Sequence, residues 1–129
     1  MLKKMSVCIG LSVLALLVGS TAAAQAANPK LVEQKVSHYD KDCSKANYDV
    51  HFTVQAQGKG SFKYKFVASD GSETEEHTWN ASKANDRHVT SHSFKPANVK
   101  HGDKIWFGIQ FEGDAAPQHI ETVTAQCKD

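Results

Sequence analysis

An alternation of apolar and polar residues with a period of two constrains the fold of this chain more than any other feature. From residue 48 to 56 every even-numbered residue is apolar, and from residue 105 to 111 every odd-numbered residue is. A third run of this kind spans residues 62–68. Successive side chains of a β-strand point to opposite sides of its sheet, so each run predicts a strand with one buried and one solvated face. Because no amphipathic helix of three turns is present, we expect an all-β protein.

Seven short strands are predicted, separated by glycine-, proline- and asparagine-containing turns. They span residues 31–38, 48–56, 62–68, 73–79, 87–94, 105–111 and 119–127. The Asp70-Gly71 dipeptide is a strong signal for a two-residue hairpin turn. That turn sets a register in which Phe62 pairs with Trp79 and Lys65 pairs with Glu76.

The phase of the alternation also predicts which side chains face the interior. The predicted core consists of Tyr48, Val50, Phe52, Val54, Phe62, Tyr64, Phe66, Ile105, Phe107, Ile109 and Phe111. A slip of one residue in any strand would turn its whole apolar set toward solvent, so the core is a sharp test of the phase.

Seven strands in a domain of about 100 residues are typical of a two-sheet sandwich. One pattern covers most of the expected domain: Tyr39, Cys43, Tyr48-x-Val50-x-Phe52, Gly58-x-Gly60, Tyr64-x-Phe66, Ser69-Asp70-Gly71 and Cys127. In this pattern the chain resembles the small immunoglobulin-like modules of secreted bacterial proteins, which implies a single immunoglobulin-like antiparallel β-sandwich. The antibody pattern of two cysteines around a buried tryptophan is absent. An open barrel of the OB type is the alternative fold.

Residues 1–26 have the composition of a secretory signal peptide. Lys3 and Lys4 precede an apolar run over residues 7–19, and Ala24-Gln25-Ala26 provides the small residues that a signal peptidase requires. The apolar run is shorter than the roughly 20 residues that a transmembrane helix needs. We therefore expect cleavage after Ala26, a single domain over residues 27–129 without a membrane span, and a periplasmic or secreted location.

The cysteines fit an oxidising compartment. Of the 3 cysteines in the chain, Cys8 lies in the expected signal peptide, which leaves Cys43 and Cys127. Two cysteines in a small exported domain are most simply one disulfide. A shared metal ion or two free thiols are the remaining alternatives.

Signatures of catalysis are missing from the sequence. It has no Gly-x-Ser-x-Gly nucleophile elbow, and residues 58–61 lack the upstream glycine of a phosphate-binding loop. We predict no enzyme activity, no catalytic residue and no cofactor. The formal net charge of +1, which becomes slightly negative once Lys3 and Lys4 are removed, opposes nucleic acid as a partner.

Histidine is the one unusual feature of the composition, with 7 residues. A chelating pair on a strand is expected as His-x-His, whereas the four-residue spacing of His88 and His92 separates their Cα atoms by about 13 Å. The other histidines are dispersed along the chain. We therefore expect scattered surface histidines and no metal site.

The candidate binding residues lie on the outward side of two strands that are neighbours in an immunoglobulin-like sheet. They are Lys63, Lys65, Trp106 and Gln110. An outward tryptophan with a polar rim is typical of a recognition surface, although the same ring also suits a packing role over the backbone of Gly108. We predict a monomeric, non-catalytic binding module for a protein or glycan partner, such as an inhibitor or an adhesion-type factor. The alternative is a periplasmic carrier that binds a metal or small ligand through surface histidines.

Overall fold

The computed structural model describes residues 26–38 and 41–128. Residues 1–25, which contain most of the expected signal peptide, lie outside the described residues. The described part contains seven β-strands and one turn of 3-10 helix, at Cys43–Lys45. The strands are β1 (Lys30–His38), β2 (Tyr48–Gln55), β3 (Gly60–Ala68), β4 (His77–Ala81), β5 (Arg87–Phe94), β6 (Lys104–Phe111) and β7 (Thr122–Thr124).

The seven strands form two antiparallel sheets. One has three strands in the order β1-β2-β5, and the other has four in the order β4-β3-β6-β7. Aromatic rings meet between the sheets, as in the stack of Phe52 on Phe66 with ring centroids 5.2 Å apart. This confirms the predicted all-β sandwich, and the open barrel is not the fold of the described residues. The kinship with immunoglobulin-like modules stays a prediction.

The core is the one predicted from the alternation. Phe52, Phe62, Phe107 and Phe111 are at most 1% exposed, and the seven other predicted core residues are also buried. Along most of each strand, successive side chains point alternately to this core and to solvent. Burial of the apolar sides of the two sheets drives their packing against each other.

The predicted disulfide is present between Cys43 and Cys127, with Cα atoms 4.9 Å apart. Both residues are buried, at 5% and 0% exposure. The backbone N–H of Cys43 also donates to the carbonyl of Lys128 over 2.8 Å. Cys43 lies in the connection between β1 and β2, and Cys127 follows β7, so the bond joins a connection of the three-stranded sheet to the end of the four-stranded sheet.

The hairpin of β3 and β4 has the predicted pairing of Phe62 with Trp79. Gly71 in its turn has a φ of +91°, which glycine adopts without a steric penalty. The returning strand β4 spans His77–Ala81, whereas residues 73–79 were expected.

The ion pair of this hairpin differs from the predicted one. Lys65 Nζ lies 2.8 Å from Glu73 Oε1, so the expected pair of Lys65 with Glu76 is wrong. The reason is a local interruption of the strand pairing. Thr74 donates its N–H to the carbonyl of Phe66, and its side-chain Oγ1 accepts the N–H of Phe66. Because a side chain replaces one backbone acceptor, the regular register does not continue to this end of the hairpin.

A buried glutamine explains why the last strand is shorter than expected. Gln34 of β1 is 6% exposed, and its Nε2 donates to the carbonyl of Phe107 over 2.6 Å. Its Oε1 accepts the N–H groups of Ile120 and Glu121 at 2.8 and 2.9 Å. These two N–H groups therefore bond to a side chain of the opposite sheet, and β7 begins only at Thr122.

Gln34→Leu is expected to lower the free energy of unfolding by about 1–3 kcal/mol. Leucine has a similar size, but it leaves one buried carbonyl and two N–H groups without their amide partner. Urea unfolding of the mature protein measures the effect. Lys35→Ala, at the exposed neighbouring position, is the matched control and should change stability by no more than about 0.5 kcal/mol. Equal small changes in both variants would show that the Gln34 amide contributes nothing to stability.

Candidate functional site

The four candidate binding residues share one face of the four-stranded sheet. β3 and β6 are neighbours, as predicted, and their register pairs Lys65 with Gln110. Alternate residues of a strand point to the same side, so Lys63 and Trp106 lie on this side too. We call the side of the four-stranded sheet that is turned away from the three-stranded sheet the outer face.

Trp106 is the aromatic centre of the outer face. Its partly exposed indole stacks on the imidazole of His119, with ring centroids 4.3 Å apart and an interplanar angle of 10°. A Cβ atom on Gly108 would lie 3.3 Å from Trp106 Cζ3 and 2.8 Å from the carbonyl oxygen of Gln118. The indole therefore also packs over backbone that only glycine leaves open. The two rings form a stacked pair with exposed area on the outer face.

The lysines contribute unequally to the charge of this face. Lys65 is paired with Glu73, and their side chains are 36% and 52% exposed. An ion pair this exposed stabilises the fold by at most about 1 kcal/mol. Lys63 is exposed, and its carbonyl accepts the N–H of Glu112 over 2.9 Å, which fixes its backbone. Val67 is on the same face but is only 6% exposed, so it adds packing instead of contact area.

Gln110 is held by the loop that follows β6. Its Nε2 donates to the carbonyl of Asp114 over 3.2 Å. The Asp114 carboxylate in turn accepts the N–H of Phe111 at 3.2 Å and Asn28 Nδ2 at 2.8 Å. A depression of about 230 Å³ lies beside this loop, with Lys65 and Gln110 in its lining. Asp114 therefore links Gln110 on the outer face to Asn28, which precedes β1.

The expectation of scattered surface histidines holds for His38, His51, His101 and His119, which are exposed, but it is wrong for the three half-buried ones, His77, His88 and His92. His88 and His92 lie half-buried on the inward side of β5, and His77 approaches them from β4. His119 is stacked on Trp106, as described above. The sequence signal was available: His88 and His92 are in phase with the buried Phe94, at the period of two that marks an inward position.

Burial lowers the pKa of His88 below its ordinary value of 6.5. Burial is also the main cause of the lowered pKa of His92, where Glu75 acts in the opposite direction and His77 adds to the lowering. Among residues 26–38 and 41–128, no three His, Cys, Asp or Glu side chains are arranged as a metal site. The lowered pKa values of His88 and His92 favour their neutral forms, and both rings pack against aromatic side chains.

Comparison of the chain with models of known protein families and with curated proteins finds no match. Within the described part of the chain, no helix is long and apolar enough to cross a membrane. The candidate function therefore rests on the geometry of the outer face.

Proposed function

We propose that this protein is a non-catalytic exported binding module that recognises a protein or glycan partner through the outer face. The observation that carries the proposal is the stacked pair of Trp106 and His119, which lies on the same face as Lys63, Lys65 and Gln110. Rigid aromatic groups supply contact area at a low cost in conformational entropy, and a polar rim adds specificity.

Among residues 26–38 and 41–128, the other broad surface of the sandwich carries no tryptophan. The outward positions of β2 and β5 carry mainly polar side chains, among them His51, Thr53, Ser91 and Ser93, around an exposed Val89. Tryptophan and arginine are among the side chains that most often dominate binding energies, and within the described strands β1, β2 and β5 the one residue of these two types is Arg87, at the end of β5. The contrast between the two surfaces supports recognition by the four-stranded sheet.

Export is the second part of the proposal. It is supported by the composition of residues 1–26 and by the disulfide between Cys43 and Cys127, because disulfides persist in oxidising compartments. The periplasm or the medium would then supply the partner. An inhibitor of a hydrolase and an adhesion-type factor both fit a module of this kind.

Trp106→Ala is expected to weaken partner binding by at least about 2 kcal/mol, or roughly 30-fold in Kd. The melting temperature should change much less than for a core substitution, because the indole is only partly buried. The mature protein and the variant would be immobilised as baits for periplasmic extract and culture fluid, and the captured material quantified by mass spectrometry and glycan analysis.

Val89→Ala is the matched control bait, since it removes an exposed side chain from the opposite surface. The proposal requires a species that binds to the wild type and to Val89→Ala but is lost with Trp106→Ala. Unchanged capture by Trp106→Ala, or a large loss of stability in that variant, would make Trp106 a packing residue and remove the argument for this face.

A further inference from the structure

The strands β4 and β5 are edge strands of different sheets, and they face each other across one side of the sandwich. We call the space between them the histidine seam. Half-buried rings fill it from both strands, and Tyr64 and Phe66 of β3 form its floor. The rings from the two edge strands are His77, Trp79, His88 and His92.

His88 connects the two sheets at one end of the seam. Its imidazole stacks on the Trp79 indole with centroids 5.1 Å apart and an interplanar angle of 14°. Its Nε2 lies 3.3 Å from the hydroxyl oxygen of Tyr64, which also donates to Thr90 Oγ1 at 3.5 Å. The contact thus joins β5 to both β4 and β3 through one titratable ring.

His92 has the same role at the other end of the seam. Its imidazole stacks on Phe66 with centroids 5.2 Å apart and an angle of 12°, and it meets the edge of Phe94 at 4.7 Å. His77 lies against the same floor, 5.5 Å from the ring centroids of Phe66 and of Tyr64. A proton on His92 would place a charge among apolar rings.

We propose that the histidine seam is an acid-sensitive latch, in which protonation of His88 and His92 separates β4 from β5 and exposes Trp79, Tyr64 and Phe66. β4 is the element expected to move, because it is a short edge strand of 5 residues that pairs only with β3. This inference does not depend on the outer face as a binding surface.

The direction of the pH effect follows from burial. Both imidazoles have a pKa below 6.5, mainly because burial disfavours the charged ring. In an open state each ring regains its ordinary pKa, so the open state takes up more protons. The stabilisation by the neutral rings is complete above pH 6.5 and is lost as the pH falls from 6.5 toward the lowered values.

The groups around the seam modify this effect without reversing it. On the β4 side, Glu75 favours a charged His92, whereas His77 disfavours it. From β3 the titratable group is the Tyr64 hydroxyl, and in β2 the partners of the two histidines are the apolar Val54 and Val50. The main charge that opposes the opening is thus Glu75, and it acts on His92 and not on His88.

Fluorescence of Trp79 tests the latch directly. In Trp106→Phe, Trp79 is the single remaining tryptophan of the mature chain, and its emission would be recorded from pH 8 to pH 4.5. We expect a reversible decrease and a red shift with a midpoint below 6.5, as a charged imidazole quenches the indole and solvent then reaches it. An emission spectrum that stays constant over this range would overturn the proposal, even if no further variant folds.

A variant without the two titratable rings provides the second readout. His88→Phe together with His92→Phe keeps aromatic packing in the seam but removes both protonation sites. The Tm of the wild-type protein, the parent of the double variant, should fall by at least about 4 °C between pH 7 and pH 5. The Tm of the double variant should change little over the same range. His51→Phe, on the exposed side of β2, is the control and should behave like the parent.

The carboxylates of Asp42 and Asp86 cannot cause a transition in this range, because hydrogen bonds from Ser44 and Ser82 hold their pKa values below 3.8. An equal fall of Tm in the parent and in the double variant would show that other groups respond to acid, and it would contradict the latch.

Discussion

Phe107→Ala should lower the free energy of unfolding by about 3–5 kcal/mol, the usual cost of removing a fully buried phenylalanine. Phe107 is 0% exposed at the centre of the sandwich. Its ring centroid lies 4.5 Å from that of Phe94 and 5.2 Å from that of Tyr48, both in the three-stranded sheet. The truncation would leave a cavity between the sheets that the surrounding rings cannot fill without moving strands.

Chemical denaturation of the oxidised mature protein measures this loss. Lys104→Ala is the matched control, because Lys104 begins the same strand but is exposed, and it should change stability by no more than about 0.5 kcal/mol. A loss below 1 kcal/mol for Phe107→Ala would mean that β6 has the opposite phase, and Trp106 would then lie in the core.

Cys43→Ala is the second substitution with a large expected effect. It should lower the free energy of unfolding by about 2–5 kcal/mol. The disulfide closes a loop with a sequence separation of 84 residues. In the chain-entropy model a loop of this length corresponds to about 4–5 kcal/mol, whereas small secreted domains have a total stability of only roughly 5–15 kcal/mol. The variant should therefore be marginally folded at 37 °C.

Non-reducing mass spectrometry and denaturation would be combined for this test. Native wild-type material should contain no thiol that reacts with an alkylating agent. Double substitution of Cys43 and Cys127 by alanine should cost about as much as Cys43→Ala alone, because both lose the same covalent link. Two reactive thiols in the native exported protein, or a single-variant loss near zero, would contradict the prediction.

The alternation of apolar and polar residues was sufficient to predict the core, because it depends only on the order of residues within each strand. In β2 and β6 every second side chain is large and apolar, so Val50, Phe52, Phe107 and Ile109 have one sterically and energetically acceptable direction. A strand phase needs no knowledge of distant partners. The disulfide was predictable for a similar reason, since removal of residues 1–26 leaves a single pair of cysteines.

Features that depend on distant partners were not predictable in this way. The Gln34 amide bonds to backbone groups of Phe107, Ile120 and Glu121, which are at least 73 residues away in sequence. A polar residue at that place in a strand gives no sign of such partners. The same holds for Lys65, whose ion pair depends on how the side chain of Thr74 interrupts the hairpin.

The sequence was enough to predict which residues lie on the candidate binding face, but not which side chains they contact. The strand phases were enough to place Lys63 and Trp106 on one side of the sheet. The stack of His119 on Trp106 was missed, because His119 follows Pro117 in a connection whose path the sequence does not define. The histidine seam was missed because histidine is polar on average, although His88 and His92 follow the inward phase of β5.

The central claim, that one face of the four-stranded sheet binds a partner, is most directly tested by site-specific photo-crosslinking in the producing cells. Benzoylphenylalanine would replace Lys63 on the outer face in one strain and Ser91 on the opposite surface in another, since both positions are exposed. We predict a discrete cross-linked adduct from position 63 that disappears when Trp106→Ala is added, and no adduct from position 91. An adduct from position 91 alone, or no adduct from position 63 under conditions where the protein is exported and oxidised, would contradict the claim.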